Sequence, residues 1–343
     1  MAIRNKSEII LAIPSKGSLY EGTLGFLRLA GIPVVYENQR QYTARMSRME
    51  GISILFQRAE EIPMKIASGA ADLGITGEDL FREETMEHDN PVIVIRDLGF
   101  GHARLVVAVP SAWIDVNSMD DLAELAHSFR LKHQRTLRIA TKFPNLAREF
   151  LAQKGLSDYM LIESLGATES APSSGMSDLI IDLASSGKTL TENHLKMLSD
   201  GVIISSQACL IATRRIENWD RARIESFEML LDIMESYLRG KNIYNIQASV
   251  SSAKISELSM PTNPWRLAYS IPITQIGSPG NQQDSFAVIR ITCPQTHLHD
   301  VVRRLRDSGA EEIIVTQPAY VFSKKSERFH QFLRLLKKSS TLE

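Results

Sequence analysis

The sequence predicts an α/β protein: two lobes forming a core, followed by a smaller ferredoxin-like domain. Three observations predict it. Short apolar runs alternate with helical patterns over the first 215 residues, the mark of a mainly parallel, doubly wound sheet. More than ten such elements occur there, too many for one compact lobe, so two α/β lobes with a substrate cleft between them are expected. Beyond the helical pattern that ends at Gly240 the order becomes strand, helix, strand, strand, helix, strand, which is the ferredoxin-like arrangement.

The elements follow in order. Ile9–Ile13 is an apolar strand, and a helical pattern runs from about Leu19 to Ala30 until Gly31 stops it. Ile52–Phe56 is the second strand. Pro63 sits where a first-turn proline is tolerated, and Gly69 ends the short helix that follows. Asp72–Thr76 reads as a strand, with Gly77 turning into another helix. Val92–Ile95 and Leu105–Val109 are strands, and Ser118 caps a helix at Met119–His127. Leu137–Ala140, Leu161–Glu163 and Leu179–Leu183 are strands, and Pro144–Lys154 is a helix. A helix at Thr189–Leu198 and strands at Val202–Ser205 and Ala208–Ala212 complete the core. A long helical pattern, Asn218–Arg239, connects it to the third domain. There Tyr244, Ile246, Ala248 and Val250 alternate with polar residues, as in a half-buried strand. A helix at Ala253–Leu258, strands at Ser270–Ile276 and Phe286–Ile291, a helix at His297–Ser308 and a strand at Glu312–Thr316 follow. Phe329, Phe332, Leu333 and Leu336 recur at helical spacing among Lys324, Lys325, Arg328, Arg334, Lys337 and Lys338, an amphipathic helix with a solvated basic face.

Composition excludes several classes of function. With 39 basic and 40 acidic side chains the chain carries no electrostatic footprint for nucleic acid or an anionic membrane. No apolar run is long enough to span a bilayer, and no signal-peptide core precedes the first strand. Two distant cysteines, Cys209 and Cys293, argue against zinc and for a reducing compartment. The expectation is a soluble cytoplasmic protein. No Ser–His–Asp or Cys–His set is evident.

The most informative stretch is Asp178-Leu-Ile-Ile-Asp182-Leu-Ala-Ser185-Ser186-Gly187-Lys188-Thr189-Leu190. A buried strand delivers Asp182; a loop of small residues follows, then a helix starts near Thr189. Backbone N–H groups of such a loop converge on a phosphate, and the helix N-terminus adds partial positive charge. A P-loop ending in Gly187-Lys188-Thr189 would need glycine at 182, where this chain has an acid that repels a triphosphate. The carboxylate suits ribose hydroxyls better, so the reading is a ribose 5-phosphate cradle; an ordinary strand–turn–helix is the competing one. A second stretch, Gly69-Ala-Ala-Asp72-Leu-Gly-Ile-Thr76-Gly77-Glu78-Asp79, turns tightly after a strand, where open α/β sheets bind ligands. Glu78 and Asp79 equally suit a plain helix N-terminus. The third, Pro14-Ser15-Lys16-Gly17-Ser18, puts a lysine and small residues after the first strand.

Together these segments resemble the long, histidine-regulated form of ATP phosphoribosyltransferase. Further matching segments are Arg58-Ala-Glu-Glu-Ile-Pro63, Arg104-Leu-Val-Val-Ala-Val-Pro110, Ala140-Thr-Lys-Phe-Pro-Asn-Leu146 and Gly166-Ala-Thr-Glu-Ser-Ala-Pro172. They occur in the family's order over about residues 9–215, and the third domain matches more loosely.

The resemblance implies a two-lobed catalytic core of the periplasmic-binding-protein type and a regulatory domain. By position, Asp182 binds the ribose of phosphoribosyl pyrophosphate (PRPP), and Ser185, Ser186, Gly187, Lys188, Thr189 and Leu190 bind its 5-phosphate. Lys16, Gly17, Arg58, Asp72 and Glu169 line the cleft near ATP, pyrophosphate or Mg2+; no metal ligand is identified. Histidine is the implied inhibitor, and a homodimer or hexamer the implied assembly. Ser18 stands where the family often has arginine, so that position offers a hydroxyl rather than a guanidinium to a phosphate. The expected boundaries are lobe I at 1–103 and 196–217, lobe II at 104–195, a connector helix at 218–240, the regulatory domain at 241–322 and the tail helix at 323–343. Two alternatives stay open: another PRPP-dependent phosphoribosyltransferase, and a non-catalytic ligand-sensing paralogue on the same fold.

Overall fold

A computed structural model of the chain describes residues 8–36, 43–86, 90–164, 166–184, 187–251, 273–276 and 286–339. It divides into two compact units, residues 1–227 with 335–343, and residues 228–334.

The first unit holds two sheets. One contains β1 (Ile9–Pro14), β2 (Val34–Val35), β3 (Thr43–Met46), β4 (Ile52–Gln57), β5 (Leu73–Gly77), β6 (Val92–Ile95) and β12 (Ala208–Ala212), in the order β2-β3-β4-β1-β5-β12-β6. The other contains β7 (Ala103–Pro110), β8 (Leu137–Thr141), β9 (Tyr159–Glu163), β10 (Leu179–Ala184) and β11 (Leu195–Ser206), in the order β11-β7-β10-β8-β9. The chain therefore crosses between sheets twice, after β6 and after β11. This is the two-lobed α/β core that the alternation of apolar runs implies.

Helices α1 (Gly17–Leu29), α2 (Ile62–Ala67) and α3 (Glu78–Thr85) belong to lobe I; α4 (Met119–His133), α5 (Pro144–Gln153) and α6 (Lys188–Glu192) belong to lobe II. Local chemistry sets their ends. Ser118 accepts the Asp121 N–H at 3.2 Å, and the Asp121 carboxylate accepts the Ser118 N–H at 2.9 Å, a capping box at the start of α4. The core of lobe II is built on the apolar face of its sheet: Leu105, Val107, Leu137, Ile139, Leu179 and Ile181 are fully buried against α4 and α5.

One boundary needs correcting. Residues 189–198 do not form a single helix: α6 ends at Glu192, and β11 starts at Leu195 and runs to Ser206 beside β7. Lobe II therefore extends to Ser206, and the chain re-enters lobe I at Gln207 rather than at 196. The register of β11 shifts between Met197 and Val202, a bulge that breaks the strand's alternation and hides it from pattern reading.

The second unit contains β13 (Ile243–Ser251), β14 (Ile273–Ile276), β15 (Phe286–Pro294) and β16 (Glu312–Thr316) in the order β14-β15-β13-β16, all antiparallel, as in a ferredoxin-like domain. Ile246, Ala248, Val250, Ile289 and Ile291 pack with Val301 and Leu305 of α8 (Leu298–Asp307). The helix expected at Ala253–Leu258 lies outside the described residues. The connector is α7 (Arg221–Lys241), and Gly240 does not stop it. A Cβ at Gly240 would lie 2.7 Å from the Pro318 carbonyl oxygen, so glycine serves close backbone approach there. The tail helix α9 (Glu327–Ser339) is capped by Ser326, whose hydroxyl accepts the Phe329 N–H at 3.2 Å; Phe329 and Phe332 are buried.

Candidate active site

Parallel strands of an α/β sheet deliver ligand-binding residues at their carboxyl ends. In lobe I the register sets Pro14 beside Gln57 and Leu11 beside Leu73, so β1, β4 and β5 end along one edge. Lys16, Gly17 and Arg58 all follow directly. The Ser15 N–H donates to the Gln57 carbonyl at 2.7 Å, and the Thr76 hydroxyl to the Ala59 carbonyl at 2.8 Å, which ties the three strand ends together. Gly17 has φ +79°, a left-handed conformation that starts α1 without strain. Lys16 and Arg58 are exposed.

Glu78 and Asp79 are buried at the start of α3. The Glu78 carboxylate accepts hydrogen bonds from Arg82, at 2.7 and 3.0 Å, and from Arg96. Asp79 accepts the Ser206 hydroxyl at 2.7 Å, and burial raises its carboxyl above the usual range. Ser206 ends β11 and Arg96 follows β6. Both acids therefore fasten the crossovers, which suits neither a bare helix N-terminus nor an open ligand subsite.

In lobe II, Ile181 pairs with Thr141 and Thr141 with Glu163, so β8, β9 and β10 also end on one edge. Asp182 stands there with its carboxylate accepting the Leu183 N–H at 2.8 Å. Burial raises its pKa. The Leu183 N–H, the Lys142 charge and a Thr168 hydrogen bond oppose that rise, and the Glu169 charge adds to it. The structure thus brings Asp182 and Glu169 together, and adds Lys142 and Thr168. Gly187 has φ +73° and caps α6. Lys188 and Thr189 are exposed on the first turn, while Leu190 is buried among Val106, Ile180 and Leu195 and anchors the helix. Ser185 and Ser186 lie outside the described residues.

The two edges adjoin the crossovers. Gly77 pairs with Ala208 in the first sheet, while Ala184 pairs with Arg104 and Ser206 with Ala103 in the second. Gln207 bridges the strands that cross, donating to Asp97 at 2.8 Å and accepting the Gly99 N–H at 3.1 Å. A contact of α3 with α5 joins the lobes as well: the Glu83 carboxylate caps α5, accepting the Asn145 and Leu146 N–H groups at 2.8 and 2.9 Å.

Asp72 is not part of this grouping. It precedes β5, and its carboxylate accepts the Ile10 N–H at 2.9 Å, which places it at the amino edge of the sheet. Its other oxygen lies 2.8 Å from Arg223 Nη2, and that guanidinium stacks on Trp219 with 4.4 Å to the ring centroid. Asp72 thus seats the first turn of α7 on the core. The expectation failed because an acid next to a strand does not declare which end of the sheet it occupies. Lys142 and Thr168 lay within recognised segments, but nothing in their spacing pointed to Asp182.

Lobe I presents Lys16 and Arg58 exposed at the carboxyl edge of its sheet, and lobe II sets Lys142 beside the half-buried Asp182, with Lys188 exposed on the first turn of α6. That composition suits a polyanionic ligand that also carries hydroxyl groups. Comparison with known proteins follows the same line. The family model for ATP phosphoribosyltransferase matches residues 58–233. The ATP phosphoribosyltransferase of Rhodopseudomonas palustris (strain BisB18) is 37% identical over 95% of this chain and 98% of its own length. That of Chelativorans sp. (strain BNC1) is 47% identical over 63% of this chain and 95% of its own length. Among solved structures, the ATP phosphoribosyl transferase (HisG:HisZ) complex from Thermotoga maritima contains a chain 27% identical, with a TM-score of 0.49, matched over 66% of this chain and 98% of that one.

Proposed function

This chain belongs to the ATP phosphoribosyltransferase family, and from that premise we propose how its residues divide the reaction and its control. The enzyme transfers a phosphoribosyl group from PRPP to N1 of ATP, giving phosphoribosyl-ATP and pyrophosphate, the first step of histidine biosynthesis. The N1 lone pair forms the new bond to ribose C1 as the bond from C1 to pyrophosphate breaks and its electron pair leaves with the oxygen.

The observation that carries the residue assignment is the grouping at the carboxyl end of β10. Asp182 accepts the ribose hydroxyls, and the loop ending at Gly187 with the first turn of α6 receives the 5-phosphate; Ser185, Ser186, Lys188, Thr189 and Leu190 belong to this cradle. Lys16, Gly17 and Arg58 face the phosphates of ATP and the departing pyrophosphate. Positive charge held where negative charge develops lowers the barrier, and positioning both substrates in line supplies much of the rest. Asp182 and Glu169 together fit Mg2+ carried in by the pyrophosphate, because magnesium is usually held by one or two carboxylates plus substrate phosphates. When bound, magnesium neutralises the leaving group.

Control is assigned to the ferredoxin-like unit. One face of its sheet is covered by α8. The other bears Asn245, Gln247, Arg290, Thr292 and Thr316 around a cavity of about 400 Å3. We assign histidine inhibition to this unit and its open sheet face to packing within a homodimer or hexamer, where an effector biases the association. Both cysteines are free and buried, and no helix among the described residues is long and apolar enough to cross a membrane. A reducing cytoplasmic setting suits that chemistry.

Purified chain supplied with ATP, PRPP and Mg2+ should form phosphoribosyl-ATP without another protein. Product that appears only after a second protein is added contradicts a self-sufficient enzyme. Truncation after Gly240 should abolish histidine inhibition and leave some turnover. A truncated enzyme that is active and equally inhibited places the effector site in the core.

A further inference from the structure

Three aromatic rings stand at the carboxyl edge of the lobe I sheet, beside Lys16 and Arg58. Tyr20 lies in the first turns of α1, shortly after Lys16. Phe56 is on β4 just before Arg58. Tyr36 follows β2, which runs parallel to β4 because both are antiparallel to β3. All three therefore reach the same edge.

The rings are fixed relative to one another. Tyr36 stacks on Phe56 with centroids 5.6 Å apart and planes 3° apart. Tyr20 meets Phe56 edge-on at 6.2 Å, and the Tyr20 and Tyr36 hydroxyls are 2.9 Å apart. Phe56 is 7% exposed, so the base of the stack belongs to the core, whereas Tyr36 keeps 38% of its surface. Phe56 is the one aromatic ring stacked on Tyr36 among the described residues. A single exposed tyrosine needs no explanation. One pre-oriented by a buried ring and a hydroxyl bond is different, because a planar ligand can settle on it at little further entropic cost.

The reaction adds a constraint. N1 is the nucleophile, so its lone pair cannot be occupied by a hydrogen bond from the protein as the bond to ribose forms. A contact with the face of the base leaves N1 free, while the cations on the same sheet edge take the phosphates. We propose that Tyr36, seated on Phe56 and held by Tyr20, stacks on the purine ring of the ATP acceptor and so helps select it and present N1. The inference rests on ATP being the acceptor, which turnover by the unaltered chain tests by itself.

The test uses the full chain. Tyr36→Ala should raise the KM for ATP roughly tenfold and leave that for PRPP within about twofold, since base–aromatic stacking is typically worth that much. Tyr36→Phe keeps the ring and should stay within about threefold for ATP. Inorganic tripolyphosphate, which has phosphates but no base, should inhibit the unaltered chain and Tyr36→Ala equally. An unchanged KM for ATP, equal rises for ATP and PRPP, or a parallel loss of tripolyphosphate inhibition each overturns the proposal. If Tyr36→Ala fails to fold, ring-labelled tyrosine in the unaltered chain decides. ATP without PRPP should shift the Tyr36 ring signals, identified from the Tyr36→Phe spectrum, and tripolyphosphate should not. No ATP-specific shift overturns the proposal.

Discussion

The amino and carboxyl ends of β10 treat acidic residues in opposite ways. Asp178 and Asp182 sit at the two ends of β10. Asp178, before the strand, is held by Arg135 at 2.6 and 2.9 Å and accepts the Arg138 N–H at 2.8 Å. Burial pushes its pKa up, but the Arg135 and Arg138 hydrogen bonds outweigh that and hold the carboxyl well below the usual range. Asp182, near the end of the strand, is held above the usual range by burial. Lobe I shows a related contrast. Asp72 pairs with Arg223 at the amino edge, while Lys16 and Arg58 stand exposed at the carboxyl edge. At the amino edge Asp178 and Asp72 are spent on folding; at the carboxyl edge Lys16 and Arg58 stand exposed and Asp182 stays ill-solvated, while Glu78 and Asp79 there fasten the crossovers.

The contrast can be broken first where it should cost most. Arg223→Ala removes the guanidinium from buried Asp72 and should destabilise the core by about 3 kcal/mol, the range for breaking a buried pair. Denaturant unfolding measures it, and the KM for PRPP of the folded fraction should not move.

Asp178→Asn should cost about 2 kcal/mol, as expected for losing charge-assisted hydrogen bonds that are partly screened by solvent. The sign with pH follows from the depressed pKa. The stabilisation is fully present above the unfolded value, about 4, and is lost as pH falls through the lower folded value. The difference in Tm between the unaltered chain and Asp178→Asn should therefore shrink below about pH 4.

Gly187→Ala forces alanine into a left-handed conformation at the start of α6 and should cost about 1 kcal/mol. Among the described residues, chain neighbours apart, no atom lies within 4 Å of the added Cβ, so the cost is conformational rather than steric. At this edge the change should also raise the KM for PRPP, which a comparable change at an amino edge would not do.

What could be read from sequence follows the same division. The strands of both lobes that are buried on two faces, such as Ala208–Ala212 in lobe I and Leu105–Val109 in lobe II, were legible as apolar runs. The end of β10 and the start of α6 were legible because an apolar strand, small residues and Gly187 occur in sequence. The strands β2 and β3 were not, being two and four residues long and carrying alternating polar groups such as Arg45. The strand β11 was misread because its bulge mimics a helical rhythm. Asp72 was misplaced because which edge a residue occupies, and which arginine meets it across 151 positions, emerges only from the folded topology.

The most direct test compares the two aspartates of β10 in the same experiment. Asp178→Asn and Asp182→Asn are each measured for Tm near pH 7 and for steady-state kinetics with ATP and PRPP. The sign for Asp182 is opposite to that for Asp178. Its raised pKa means that ionisation costs the fold above the folded pKa, so a neutral amide should leave Tm equal or higher. Asp182→Asn should nevertheless raise the KM for PRPP or lower turnover by roughly tenfold or more, the weight of a hydrogen-bonded carboxylate on ribose. Asp178→Asn should lower Tm and leave the kinetics of the folded enzyme unchanged. A lowered Tm with intact PRPP kinetics in Asp182→Asn would make that carboxylate a structural group and contradict the division between the two edges.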